Sequence, residues 1–150
     1  MRFYVDTSVW GGIQDAEFAE WTEPLFANAR QGLYKLVLSD VTLAELQNAP
    51  PYVRDLPTSI PDSQLELVSI TPVQLALADC YVRDGALPAK FHADAQHIAI
   101  ASVLHVDSLL SWNFKHMVNF FRIRQYNAIN AKQGYPLIDI RTPREITYEN

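Results

Sequence analysis

Short apolar runs alternate with longer amphipathic ones along this chain. Residues 2–5 form a compact β-prone run and predict a buried strand, closed by Asp6, Thr7 and Ser8 at a helix start. The next segment predicts a helix, or a loop and a helix, interrupted by Gly11 and Gly12. A helix over 23–30 follows, with Pro24 near its first turn and Gly32 behind it, and residues 33–38 predict a second strand. Ser39 or Asp40 can cap a helix running through Leu43, Glu45 and Leu46, which Pro50 and Pro51 end or bend. Residues 65–70 alternate as a third strand, and Thr71-Pro72 opens a helix that Gly85 stops. A long helix over 90–104, a strand over 108–112, a helix over 113–121 and a fifth strand over 137–140 complete the pattern. Strands alternating with helices predict an α/β fold with a mostly parallel sheet covered on both faces. Nothing in the pattern divides the chain, so residues 1–150 read as one domain.

Composition narrows the choice of function. No apolar run is long enough to span a bilayer, and the N-terminus lacks the basic and apolar regions of a signal peptide. Cys80 stands alone among Leu75, Ala76, Leu77, Ala78 and Tyr81, which makes it a small core residue and fits a cytoplasmic protein. The net charge of −5 argues against indiscriminate binding of nucleic acid. The charge is uneven, however. From Asn113 onward there are six basic and three acidic residues, against six and fourteen before it, so the C-terminal third can hold a phosphate backbone locally.

Four side chains fall at comparable places in this plan. Asp6 ends the first strand, Glu45 lies in the helix after the second, Asp94 lies near the start of the long helix, and Asn113 follows the fourth strand. In a parallel sheet these positions share one edge, where ligands bind. Clustered hard oxygen donors suit Mg²⁺ or Mn²⁺ rather than Zn²⁺, and a divalent ion offsets the repulsion among carboxylates. Each residue also has a local reading: Asp6 as a helix cap, Glu45 as a surface charge, Asp94 as a first-turn acid favoured by the helix dipole, Asn113 as a turn residue. Among the histidines, His92 and Asp94 lie on different sides of a helix, whereas Asp94 and His97 could share a metal. The stripe Ala93, His97, Ile100, Ala101 and Leu104 instead makes His97 a buried, hydrogen-bonded histidine.

At these residues the chain resembles the PIN-domain family, in particular the VapC-like toxin ribonucleases of bacterial toxin–antitoxin pairs. The matching pieces are residues 3–8, 38–46, 94–101 and 109–114, in that order and spacing. The resemblance implies a three-layer α/β/α sandwich with a central, mostly parallel sheet of four to five strands. It also implies an endoribonuclease dependent on Mg²⁺ or Mn²⁺, an antitoxin protein partner and a homodimer. By position, Asp6, Glu45 and Asp94 match the family's acidic metal ligands. Asn113 falls where many members carry a fourth acid, usually Asp. It keeps an oxygen acceptor but lacks the charge. Thr7 and Ser8 match hydroxyls near the metal or a phosphate.

Further along, Lys115, Arg122 and Arg124 are candidate contacts to RNA phosphates, interleaved with Phe114, Phe120 and Phe121. The competing reading places Phe120, Phe121 and Ile123 in the core or a dimer interface. The Asn113 departure leaves open a degenerate module that binds RNA or a protein without cutting. A phosphoryl-transfer enzyme using Asp6 as nucleophile fits poorly, because Ser8 stands where such phosphatases carry a second Asp.

Overall fold

The computed structural model describes residues 1–147. In chain order its elements are β1 (Arg2–Val5), α1 (Thr7–Gly12), α2 (Ala19–Arg30), β2 (Lys35–Ser39), α3 (Asp40–Leu46), α4 (Pro51–Arg54), β3 (Leu65–Val68), α5 (Pro72–Arg83), α6 (His92–Leu104), β4 (Ser108–Leu110), α7 (Phe120–Gln133), β5 (Ile140–Arg141) and α8 (Pro143–Thr147). The five strands form one sheet in the order β3-β2-β1-β4-β5, and every pairing is parallel. The α/β expectation therefore holds, with five strands and a fully parallel sheet.

Side-chain alternation along the strands builds the layers. Tyr4, Val37, Leu109 and Ile140 point to one face and pack with Leu77, Tyr81, Ile98 and Tyr126 of α5, α6 and α7. Phe3, Val5, Leu36, Leu38 and Leu110 point to the other, against Trp10, Leu25, Phe26 and Val53 of α1, α2 and α4. Both faces of the central strands are buried, so β1, β2 and β4 read as nearly continuous apolar runs, whereas the edge strand β3 alternates and leaves Leu67 exposed. Each fully buried side chain of this size contributes roughly 1.5–3 kcal/mol.

The boundaries show where local signals lose to tertiary packing. Helix α2 begins at Ala19, four residues before the expected start, so Pro24 lies inside it rather than in its first turn. Thr22, Leu25 and Phe26 are buried on the helix face, which offsets the hydrogen bond that proline removes. The helix expected over 113–121 is a turn through residues 114–117, followed by α7. That helix has the ordinary signals at its ends: Asn119 Oδ1 accepts from the Arg122 backbone N–H at 3.2 Å, and Gly134 closes it at φ +84°. The fifth strand, expected over 137–140, is instead Ile140–Arg141, paired with β4 at the sheet edge, while the Ile138 N–H and C=O are taken by the Asn127 side chain.

The strand order places the site. Moving from β1, the chain adds β2 and β3 on one side and β4 and β5 on the other. The crevice at such a switch point lies beyond the carboxyl ends of the two central strands. Here those ends are Val5 and Leu110, followed by Asp6 and Ser111-Trp112-Asn113.

Candidate functional site

Asp6 is 3% exposed and held almost entirely by hydroxyls. Ser8 donates to its Oδ1 at 2.6 Å and Ser111 to its Oδ2 at 2.6 Å, while the Val9 N–H reaches Oδ1 at 3.3 Å. Asp6 is thus the N-cap of α1, and that role is compatible with its place as a candidate site residue. Its own N–H bonds Leu110 O at 3.2 Å, which ties it to β4. Burial pushes its carboxyl above the usual range; His97 and the Ser111 and Ser8 hydroxyls oppose that push.

A second thread runs from Ser111 to Asp94. The Asn113 N–H bonds Ser111 Oγ at 2.9 Å, and Asn113 Nδ2 donates to Asp94 Oδ2 at 3.3 Å. Asn113 Oδ1 is turned the other way and accepts the N–H groups of Lys115 and His116, both at 3.0 Å. Two backbone donors demand an acceptor there, which fixes the amide orientation. The oxygen expected to face the site is therefore committed to the turn, and Asn113 presents N–H instead. Burial raises the Asp94 carboxyl to about 6; His97 opposes this, the Asp6 and Glu45 charges add to it, and the Asn113 bond lowers it.

Glu45 reaches the site from α3. Its Oε1 accepts from Thr7 Oγ1 at 2.8 Å and lies 2.6 Å from His97 Nε2. His97 is 1% exposed, and its Nδ1 lies 2.6 Å from the Tyr4 hydroxyl, itself 2.6 Å from Ser39 Oγ. A carboxylate only accepts, so Nε2 carries a proton, and in the neutral ring Nδ1 accepts from Tyr4. Both nitrogens are engaged, in keeping with a buried, bonded histidine rather than a metal ligand. Burial pushes Glu45 up, but the hydrogen bond and charge of His97, the Thr7 bond and His92 outweigh it and hold the carboxyl below its usual range. A cavity of about 380 Å³ opens between α3 and α6, lined by Asp40, Val41, Glu45, His92 and Gln96 among others.

The structure thus gathers the site candidates into two hydrogen-bonded groups, Asp6, Ser8, Asn113 and Asp94 through Ser111, and Thr7 and Glu45 with His97, which are coupled through the effect of His97 on both aspartates. Sequence reasoning passed over Ser111, whose only signal was a hydroxyl inside the apolar run ending β4, and the Tyr4–His97 support beneath Glu45. Of the three basic candidates, Lys115 and Arg122 lie near Phe91 and His116, whereas the Arg124 guanidinium sits 5.6 Å over the Phe120 ring. Phe120 and Phe121 are 67% and 75% exposed, which corrects their reading as core residues; Ile123 packs partly buried against the core.

Among the described residues, no group of three or more His, Cys, Asp or Glu side chains is arranged to hold a metal ion. The donor chemistry still fits a hard cation. Asp6 and Asp94 are carboxylates with raised proton affinity, and no Lys or Arg pairs with either. Magnesium is commonly held by only one or two carboxylates and keeps several waters.

No protein-family model matches this chain, and no curated protein matches its sequence. Among solved structures, it is similar to a chain of VapBC2 from Rickettsia felis bound to a DNA fragment from their promoter. The match covers 95% of this chain and 98% of that one, with a TM-score of 0.57 and 15% identity. The fold is PIN-like. At that identity the likeness is one of fold. The PIN-like sheet accounts for why residues from four separate segments meet at one edge. No helix among the described residues is long and apolar enough to cross a membrane.

Proposed function

We propose that this PIN-like chain is an endoribonuclease that uses Mg²⁺ or Mn²⁺ to hydrolyse RNA phosphodiesters, as the toxin of a toxin–antitoxin pair. The observation carrying this reading is the raised carboxyl of Asp94 beside Asp6, with no Lys or Arg paired to either. Asp6 and Asp94 would hold the ion directly, and Glu45 would complete the set. When bound, such an ion lowers the pKa of water and offsets charge building on a phosphodiester. Ser8 and Ser111 orient Asp6, Asn113 orients Asp94, and His97 with Thr7 fixes Glu45. Thr7, Ser8, Lys115, Arg122 and Arg124 would contact RNA. An antitoxin protein and a homodimer belong to the same reading, supported by the fold shared with a VapBC2 chain.

One observation favours a second reading, a non-catalytic module binding RNA or a protein. Asn113 turns its oxygen away, and no three-ligand group stands ready among the described residues. Incubation of single-stranded RNA with Mn²⁺ and either wild type or Asp6→Asn separates the two. The enzyme reading expects cleavage that needs metal and disappears in the variant. Equal cleavage by both proteins would overturn the assigned site, and none by wild type would select the binding module.

A further inference from the structure

Beside the carboxylates lies a group that the catalytic reading leaves unexplained. His116 is 2% exposed, yet among the described residues neither ring nitrogen has a hydrogen-bond partner. Native proteins rarely leave a buried polar group unbonded. Its ring packs 4.1 Å from that of Phe91, and two ammonium groups hang over the same Phe91 ring: Lys90 Nζ at 5.1 Å and Lys115 Nζ at 5.7 Å. Arg122 adds a third positive charge near the imidazole, anchored through Nη1 to Ala86 O. None of the three cations forms an ion pair with a described acid, in a chain whose net charge is −5. Burial and these charges together hold the His116 imidazole below its usual range, so it is neutral and can donate one hydrogen bond.

The group is rigidly joined to the site. The His116 N–H bonds Asn113 Oδ1, whose amide bonds Asp94, and Tyr126 Oη donates to His116 O at 2.7 Å. We propose that Lys90, Lys115, Arg122 and His116 form a subsite for a backbone phosphate of single-stranded RNA, next to the phosphodiester presented to Asp6 and Asp94. This rests on the ribonuclease reading for its substrate. Unpaired cations around a neutral donor suit a compact anion, and the exposed ring of Phe114 beside Lys115 offers a base a stacking surface. Lys90 and Lys115 are exposed, long side chains, able to swing aside as the anion reaches the imidazole. Lys90 lies outside the segment from which basic residues were first chosen, and so was invisible to sequence reasoning.

The test uses the full chain in EDTA with an uncleavable 2′-O-methyl oligonucleotide, followed by fluorescence anisotropy. Wild type should bind it without metal. Lys90→Gln should weaken binding about threefold to tenfold and reduce the salt slope by about one. His116→Phe should weaken it about tenfold, and His116→Gln, which keeps a donor, should recover part of the loss. Asp6→Asn should bind at least as tightly as wild type. Loss of cleavage with retained binding in that variant separates this subsite from the catalytic centre. In a second arm, inorganic phosphate should shift the His116 ring signals in NMR spectra and compete with the oligonucleotide. Unchanged RNA affinity in both Lys90→Gln and His116→Phe would overturn the proposal. So would phosphate binding without any RNA binding, or selective binding of an acidic peptide.

Discussion

The two ends of the sheet both carry acidic side chains, and they treat them differently. On the side of the amino ends, Glu66 pairs with Arg2 at 2.7 Å, and at the β5 edge of the cavity on that side Asp139, just before β5, and Glu145, just after it, both pair with Arg141, the last residue of that strand, at 3.1 Å. Asp107 accepts the Arg2 backbone N–H at 2.7 Å, and Ser108 donates to Asp139. The cavity, of about 500 Å³, opens there among Met1, Phe3, Tyr34, Asp107, Asp139 and Arg141. At the carboxyl ends, Asp6 and Asp94 meet hydroxyls and one amide, and Glu45 meets an imidazole. Neither of the two aspartates has an arginine or lysine partner. The larger cavity is thus the electrostatically settled one. An end whose charges are already compensated has little to gain from a cation; the carboxyl end does.

The largest expected effect comes from removing a charge without changing shape. Asp6→Asn keeps the helix cap and should abolish RNA cleavage, a loss on the order of a thousandfold or about 4 kcal/mol of transition-state stabilisation. It should also leave metal-free stability unchanged or raise it by about 1 kcal/mol, because the buried carboxylate is electrostatically unfavourable. Chemical denaturation beside an activity assay reads both, and a strongly destabilised variant would count against the contrast between the ends. Next comes His97→Gln, which loosens Glu45 and removes the imidazole that opposes the upward push on Asp6 and Asp94, with no hydrogen bond to either aspartate broken. Loss of a supporting hydrogen bond behind a ligand typically costs about 10–100-fold in activity or metal affinity. Cleavage kinetics over a Mn²⁺ series would show the deficit shrinking as metal is raised.

The acidic positions were legible in the sequence for a topological reason. Once the strands are parallel, Asp6, Asp94 and Asn113 must reach the same edge whatever the loops do, and Glu45 follows from the cap at Ser39. What was not legible depends on direction rather than position. Asn113 is placed as expected, but the choice between its oxygen and nitrogen is made by the backbone N–H groups of Lys115 and His116. Pairing of His97 with Glu45 joins two helices that sequence spacing does not relate. The long helix α7 was passed over although Asn119 and Gly134 mark its ends, because the polar run between them carries little apolar periodicity.

The pH dependence of stability offers a smaller, signed test. With its carboxyl raised from 3.8 to about 6, Asp94 binds its proton more tightly in the folded state than in the unfolded. Stability from this group is therefore present below about pH 4 and falls as pH rises to about 6, flattening above that. The effect should be about 1–2 kcal/mol once solvent screening at this half-buried group is allowed for. Subtracting the Asp94→Asn profile from wild type in EDTA isolates it from Glu45, whose opposite shift makes stability fall as pH drops through its lowered value. A difference that rises with pH across this window would contradict the assignment. Smallest of all is Asp139→Asn at the far end. Breaking its exposed pair with Arg141 should cost at most about 1 kcal/mol in thermal denaturation and leave cleavage unaltered.

The contrast between the two ends reduces to where a divalent cation goes. Mn²⁺ calorimetry on wild type, Asp94→Asn and Asp139→Asn tests this directly. The account predicts saturable binding to wild type and to Asp139→Asn, and none to Asp94→Asn over the same concentrations. Equal binding by all three proteins, or no binding by wild type, would contradict it.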